Sequence, residues 1–310
     1  MTTQLTRPPG ATAPPAPPRR GVLLLLSVAL GLLVTSAWSA PFVDTVLGES
    51  IAGAVLGHDP REVAITTGLG GLLFAFAAGA AGTFTACNIA AFSALAPMLS
   101  GASGARGRVR AALRPMGWVA AGTFPVAAGY GALGALVGPS LPQLSAATVG
   151  DDVPVRLVQS MVVYGVIGVV LLWMGLAALR YVPDPFARLT ARFAPTPLVV
   201  MGVLIGLFLV GRPYPLFRTM FTYAAETADP FYGALSFLLV AIGNVALIAV
   251  LFVALALVGG ERTARALGGR RAAAVTGSAL VVAGVFTVAY WVVRLLARFG
   301  YGWFPVMPWV

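Results

Sequence analysis

Charge is what this chain of 310 residues most lacks: charged residues make up 10% of it and apolar residues 59%. A soluble globular domain carries about 25% charged residues. A water-facing surface cannot be assembled from so few, which excludes a soluble domain. Cysteine is scarcer still, since Cys87 stands alone. One thiol excludes an intramolecular disulfide and any multi-cysteine metal centre. The single histidine, His58, lies beside Asp59 and Glu62. It reads as a solvated loop residue, with a weak external metal contact as the other reading. Neither a metal site nor a cofactor is expected. Gly68-Leu-Gly-Gly is no nucleotide loop, because it lies inside an apolar run, where small residues serve helix packing.

What the chain has in abundance is long apolar stretches. A membrane span needs roughly 20 mostly apolar residues. Seven runs qualify, at about 21–38, 64–99, 115–138, 157–180, 196–224, 231–258 and 273–296. They occupy nearly the whole chain, so the expected class is an all-α polytopic integral membrane protein in a lipid bilayer.

The net charge of +10 would suit nucleic acid if it formed one patch, but it does not. Arg7, Arg19 and Arg20 precede the first run; Arg106, Arg108, Arg110 and Arg114 follow the second. Arg180, Arg188 and Arg192 follow the fourth, and Arg262, Arg265, Arg270 and Arg271 the sixth. Most acids lie in the alternate loops: Asp44, Glu49, Asp59, Glu62, Asp151, Asp152, Glu226 and Asp229. The positive-inside rule counts the arginines. It places the N-terminus in the cytoplasm and the C-terminus outside a bacterial-type plasma membrane, although Arg61, Arg156 and Arg298 fall on the poorer side. No nucleic-acid partner is expected.

Residues 1–20 form a Pro-, Ala- and Thr-rich tail, which cannot bury a core and is expected to be disordered. The run 21–38 reads as an uncleaved N-terminal transmembrane helix. Its basic start, and Ala37 and Ser39 before Ala40, also fit a cleaved signal peptide. The membrane domain covers 64–298, and 299–310 is a short external tail.

Two runs are unusual. A straight helix over 64–99 would reach about 54 Å, against about 30 Å of hydrocarbon. So the run is strongly tilted, is broken or extends well beyond the bilayer; its middle reads GAAGTFTACNIAAF, and a break is expected at Gly82. The run 196–224 contains Gly211-Arg-Pro-Tyr-Pro-Leu-Phe-Arg218. Gly211, Pro213 and Pro215 are expected to break it, since proline removes a backbone donor and clashes with the preceding turn. Each unusual run opens a set of three, and three is odd, so the second set is inverted relative to the first. The expected fold is therefore two inverted three-helix repeats, a six-helix core, with one extra N-terminal helix. Interrupted segments at matching positions of inverted halves point to a site at mid-membrane; the other reading is a pair of packing kinks that hold no ligand.

The stretches FAAGAAGTFTACNIAAFSALAPML (76–99), VLIGLFLVGRPYPLFRTMF (203–221) and GALSFLLVAIGNVALIAVLF from Gly233 resemble the CcdA family of cytochrome c biogenesis proteins. That family shares its membrane fold with the central part of DsbD. The resemblance implies two broken helices carrying Pro-Cys motifs, whose cysteines pass electrons from cytosolic thioredoxin to an exported acceptor. Here the motif positions read Ala86-Cys87 and Pro213-Tyr214. One thiol cannot run an internal dithiol cycle. Cys87 is the candidate catalytic residue, through a mixed disulfide with a partner or a small thiol; the other reading is a buried, inert cysteine. A thioredoxin-like or cytochrome-assembly protein is the implied partner.

Arg212 and Arg218 flank Tyr214. An arginine at mid-membrane costs at least about 2.5–3.5 kcal/mol and faces protein or water. Arg212, Tyr214, Asn88 and Arg218 are the candidate contacts for a substrate or anion, and Arg212 alternatively caps carbonyls freed by the break. Three functions follow: a CcdA-like thiol or redox role in cytochrome c biogenesis, a transporter of a small anionic or zwitterionic solute, or a non-catalytic assembly factor.

Overall fold

The computed structural model describes residues 17, 19–39, 42–43, 46, 49–57, 68–83, 104–149, 153–211, 215–266 and 270–309. Cys87, Asn88, Arg212, Pro213 and Tyr214 lie outside the described residues, as do His58 and residues 1–16.

Among the described residues the helices are α1 (Arg20–Ala37), α2 (Glu49–Leu56), α3 (Gly68–Ala81), α4 (Gly104–Val137), α5 (Val155–Ala178), α6 (Ala187–Arg192), α7 (Thr196–Val210), α8 (Pro215–Glu226), α9 (Pro230–Ala266) and α10 (Arg270–Val288). The chain of α10 runs on through a π-helical stretch, Ala289–Arg294, and a last turn, Leu295–Arg298. Before α5, β1 (Thr148–Val149) and β2 (Val153–Pro154) pair antiparallel. The protein is an all-α membrane protein. Arg20–Ala37, Gly104–Val137, Val155–Ala178, Pro230–Val258 and Arg271–Arg298 are long and apolar enough to cross a bilayer.

The two unusual runs hold something shorter. α3 has 14 residues and α7 has 15, or about 21–23 Å of helix, less than a hydrocarbon core. α3 gives way to a turn at Gly82-Thr83. α7 ends at Val210, and α8 begins at Pro215, where proline suits the first turn because its missing N–H would have no helical partner. Asp229 Oδ1 accepts the Phe231 amide at 2.9 Å and caps the start of α9.

Packing follows the small residues. Hydrocarbon gives apolar helices no reason to associate, so close backbone approach supplies the contact energy. α3 lies against α9, and α7 against α4. A Cβ on Gly79 would strike the backbone of Val240, and one on Gly202 that of Val119. Thr123 Oγ1 bridges α4 to α7 by donating to Gly202 O at 2.9 Å. Tyr232 Oη donates to Gly68 O at 2.8 Å, while Thr83 Oγ1 approaches Asn244 O at 3.4 Å, so α3 and α9 run parallel. α4 and α7 are also parallel, with Val119 beside Gly202 and Val126 beside Gly206.

The long helices cross as antiparallel pairs. α4 meets α9 at Gly131 and Gly233. α5 meets α10 through two reciprocal glycine pairs: a Cβ on Gly168 would stand 3.1 Å from Gly284 O, and one on Gly175 3.0 Å from Gly277 O. Each helix repeats its glycine after seven residues, two turns of helix, a spacing that keeps one seam facing the partner along a left-handed crossing. Finally α1 packs on α10, where Gly31 lies against Val285.

Candidate functional site

The end of α7 is the polar centre of an apolar bundle. A helix leaves its last four carbonyls without helical partners, and lipid offers none. Side chains of α5 supply them. Tyr164 Oη donates to Phe208 O at 3.0 Å, Gln159 Nε2 to Val210 O at 2.9 Å and Ser160 Oγ to Gly211 O at 2.6 Å. Gln159 Nε2 also donates to Tyr130 Oη of α4 at 3.1 Å. The amide thus ties three helices at the point where one stops. The Tyr164 ring is held between Trp291, stacked with centroids 4.3 Å apart, and Phe208 at 5.0 Å.

One atom here is left over. Gln159 Oε1 is buried and has no hydrogen-bond partner among the described residues. A buried acceptor without a partner carries a desolvation cost of about 1–3 kcal/mol. It belongs to the side chain that holds Val210 O, immediately before Gly211 and the segment 212–214.

The other helix end is quieter. Gly82 N donates to Ala78 O and Thr83 N to Ala80 O, both at 3.1 Å. Thr83 Oγ1 lies 3.4 Å from both the carbonyl and the side-chain oxygen of Asn244. The last residue of α3, Ala81, and Leu209 in the last turn of α7 belong to one buried cluster with Phe217, Phe221 and Phe237. Tyr130 stands edge-on to Phe237 in that cluster, with centroids 5.5 Å apart, and so joins it to Gln159.

Gly82 and Gly211 are each the first residue beyond a helix, and Pro215 opens the next one. Arg218 is exposed on α8, and no ion pair or hydrogen bond reaches it among the described residues. Within those residues no three His, Cys, Asp or Glu side chains are arranged to hold a metal ion. Sequence reasoning did not single out Tyr130, Gln159, Ser160 or Tyr164. Their signal was weak but present: a glutamine, a serine and a tyrosine within six residues of an apolar run. It also missed Arg294, an arginine inside the last run. Set against protein-family models, curated proteins and solved structures, the chain matches none.

Proposed function

We propose that this chain is a divergent CcdA-like membrane protein, built of two inverted three-helix repeats and an added N-terminal helix, that works at the ends of its two short helices. The observation that carries the reading is the packing order. α3 rests on α9 as α7 rests on α4, while α4 crosses α9 and α5 crosses α10. Exchanging α3, α4 and α5 for α7, α9 and α10 leaves that list unchanged. α3 runs with α9, α9 against α4, and α4 with α7, so the two short helices point in opposite directions, as inverted halves require.

The role we assign is thiol redox chemistry in support of cytochrome c maturation, with Cys87 as a one-thiol relay. Its thiolate attacks the disulfide of an exported thioredoxin-like partner; the partner's S–S bond breaks, a mixed disulfide forms and the other partner sulfur leaves as thiolate. A low-molecular-weight thiolate attacks the Cys87 sulfur of that bond and releases the partner as a dithiol. A second small thiolate then frees Cys87 and leaves as the small-molecule disulfide. Two electrons pass from two small thiols to one partner disulfide. The experiment is Cys87→Ser, with a single-cysteine partner presented as its thionitrobenzoate mixed disulfide, whose thionitrobenzoate leaves as Cys87 attacks, and with no small thiol added. The parent traps a mixed disulfide on a non-reducing gel and Cys87→Ser does not. Full cytochrome c maturation in Cys87→Ser cells would remove the redox role.

A second reading is transport of a small anionic or zwitterionic solute past Arg212, and Gln159 favours it. Its Oε1, at the helix end, has no hydrogen-bond partner among the described residues and is able to pair with an ammonium group while an arginine holds the acid. Under this reading Gln159→Leu and Arg212→Gln both abolish solute uptake, whereas Cys87→Ser leaves it intact. In either case the arginine-rich loops lie in the cytoplasm of a plasma membrane.

A further inference from the structure

The first turns of α4 carry Arg106, Arg110 and Arg114 at four-residue intervals. That interval sets three guanidinium groups along one helix face, over about 12 Å of axis. The stems of these three arginines, with Val109 and Leu113 of α4 and Leu257 near the end of α9, line a shallow, open groove of about 720 Å³ that is almost wholly apolar, so that the guanidinium groups stand at its rim. Beside it Leu113 and Leu257 are exposed and the neighbouring Val258 is 89% exposed, as suits a surface that meets lipid. No ion pair or hydrogen bond engages these three arginines among the described residues. Orientation in the membrane needs arginines on one side, but it needs neither a regular spacing nor an apolar groove beneath them.

We propose that this groove binds an anionic phospholipid. The headgroup phosphate lies on the ladder of Arg106, Arg110 and Arg114, and an acyl chain follows Val109, Leu113 and Leu257 down the groove. Arginine suits the first part, because its planar fork pairs two N–H groups with two phosphate oxygens. The apolar wall distinguishes a lipid from free phosphate, which has nothing to place there. Basic pockets between helices on the cytoplasmic side bind anionic headgroups by this combination of charge and shape.

The test uses the full-length protein in nanodiscs, titrated with phosphatidylglycerol or phosphatidylcholine and read by native mass spectrometry. Arg106→Gln, Arg110→Gln and Arg114→Gln are made singly and together. Arg188→Gln with Arg192→Gln, exposed charges of α6, serve as the control. The parent is expected to prefer phosphatidylglycerol. Each single variant is expected to weaken that lipid about fivefold and the triple variant about a hundredfold, with the control unchanged. Because three lost arginines also weaken the insertion signal, Leu113→Trp is a second probe. It fills the apolar wall, keeps every charge, and should also lower phosphatidylglycerol binding. Equal binding by the parent, the triple variant and Leu113→Trp would overturn the proposal, as would an equal loss in the control. Displacement of the lipid by equimolar inorganic phosphate would overturn it too, since the site would then recognise phosphate alone.

Discussion

Arg294 Nη1 donates to the Trp38 carbonyl at 2.9 Å, joining the last spanning helix to the end of the first. The same nitrogen donates to Thr35 O at 2.8 Å. Met307 N reaches Ser36 O at 3.1 Å and Trp309 Nε1 reaches Ala37 O at 3.3 Å. Four successive carbonyls at the negative end of α1 are therefore met by the far end of the chain. The guanidinium also stands 4.9 Å from the centre of the Tyr290 ring. A cation at a helix C-terminus and charged hydrogen bonds to its carbonyls together contribute about 1–3 kcal/mol.

Arg294→Leu is accordingly expected to destabilise the protein by about 1–3 kcal/mol, with Arg294→Lys keeping part of that. Thermal unfolding in one detergent, followed by tryptophan fluorescence, measures it. The capped carbonyls of Thr35 to Trp38 also lie where a signal-peptide cut before Ala40 would need free, extended backbone. The intact mass of the purified protein is expected to include α1; a mass that begins at Ala40 refutes this.

Glycines of α4 offer an internally controlled series. Among the described residues, Gly117 and Gly129 have nothing within 4 Å of an added Cβ, whereas one on Gly122 would lie 2.8 Å from Val203 N and one on Gly131 2.7 Å from Phe237 Cβ. Gly117→Ala and Gly129→Ala should be neutral or stabilising by up to about 1 kcal/mol, from helix propensity. Gly122→Ala and Gly131→Ala should cost about 1–3 kcal/mol, from overpacking. Equal melting temperatures across the four variants would refute the close helix contacts.

The α7 end can be taken apart bond by bond. Ser160→Ala leaves Gly211 O without its donor and should cost about 1–3 kcal/mol. Tyr164→Phe keeps the ring between Trp291 and Phe208 and removes only the bond to Phe208 O, so it should cost about 1 kcal/mol. The double variant should lose less than the sum, because once the helix end is free the second bond has less to hold. Strict additivity in denaturation would show the two side chains to be independent.

Topology is checked with single cysteines in a Cys87→Ser background. Ala146 and Ala187 are both exposed, one in the arginine-poor loop before α5 and the other on arginine-bearing α6. A membrane-impermeant maleimide added to intact cells is expected to label Ala146→Cys and spare Ala187→Cys. The reverse pattern inverts the whole map.

Membrane class was legible in the residues alone, because the preference of an apolar run for lipid is a local property summed along the chain. The interruption of 196–224 was legible for a similar reason: two prolines withhold donors whatever surrounds them, and α7 stops at Val210 while α8 starts at Pro215. Partnership was not. The glycines at 168, 175, 277 and 284 declare close-packing faces, but any small-residue face fits another, and only the assembled bundle sets Gly168 on Gly284 and Gly175 on Gly277. Asp229, read as one acid among others in an outer loop, is committed to the cap of α9. Gln159, Ser160 and Tyr164 became a site only when α7 ended beside them, since a carbonyl needs a donor according to where its helix stops. Arg294 carries the same lesson. Its charge belongs to the sequence, but the four carbonyls of α1 that give the charge and its neighbours a purpose lie more than 250 residues away, and distance along the chain hides such pairs until folding closes it.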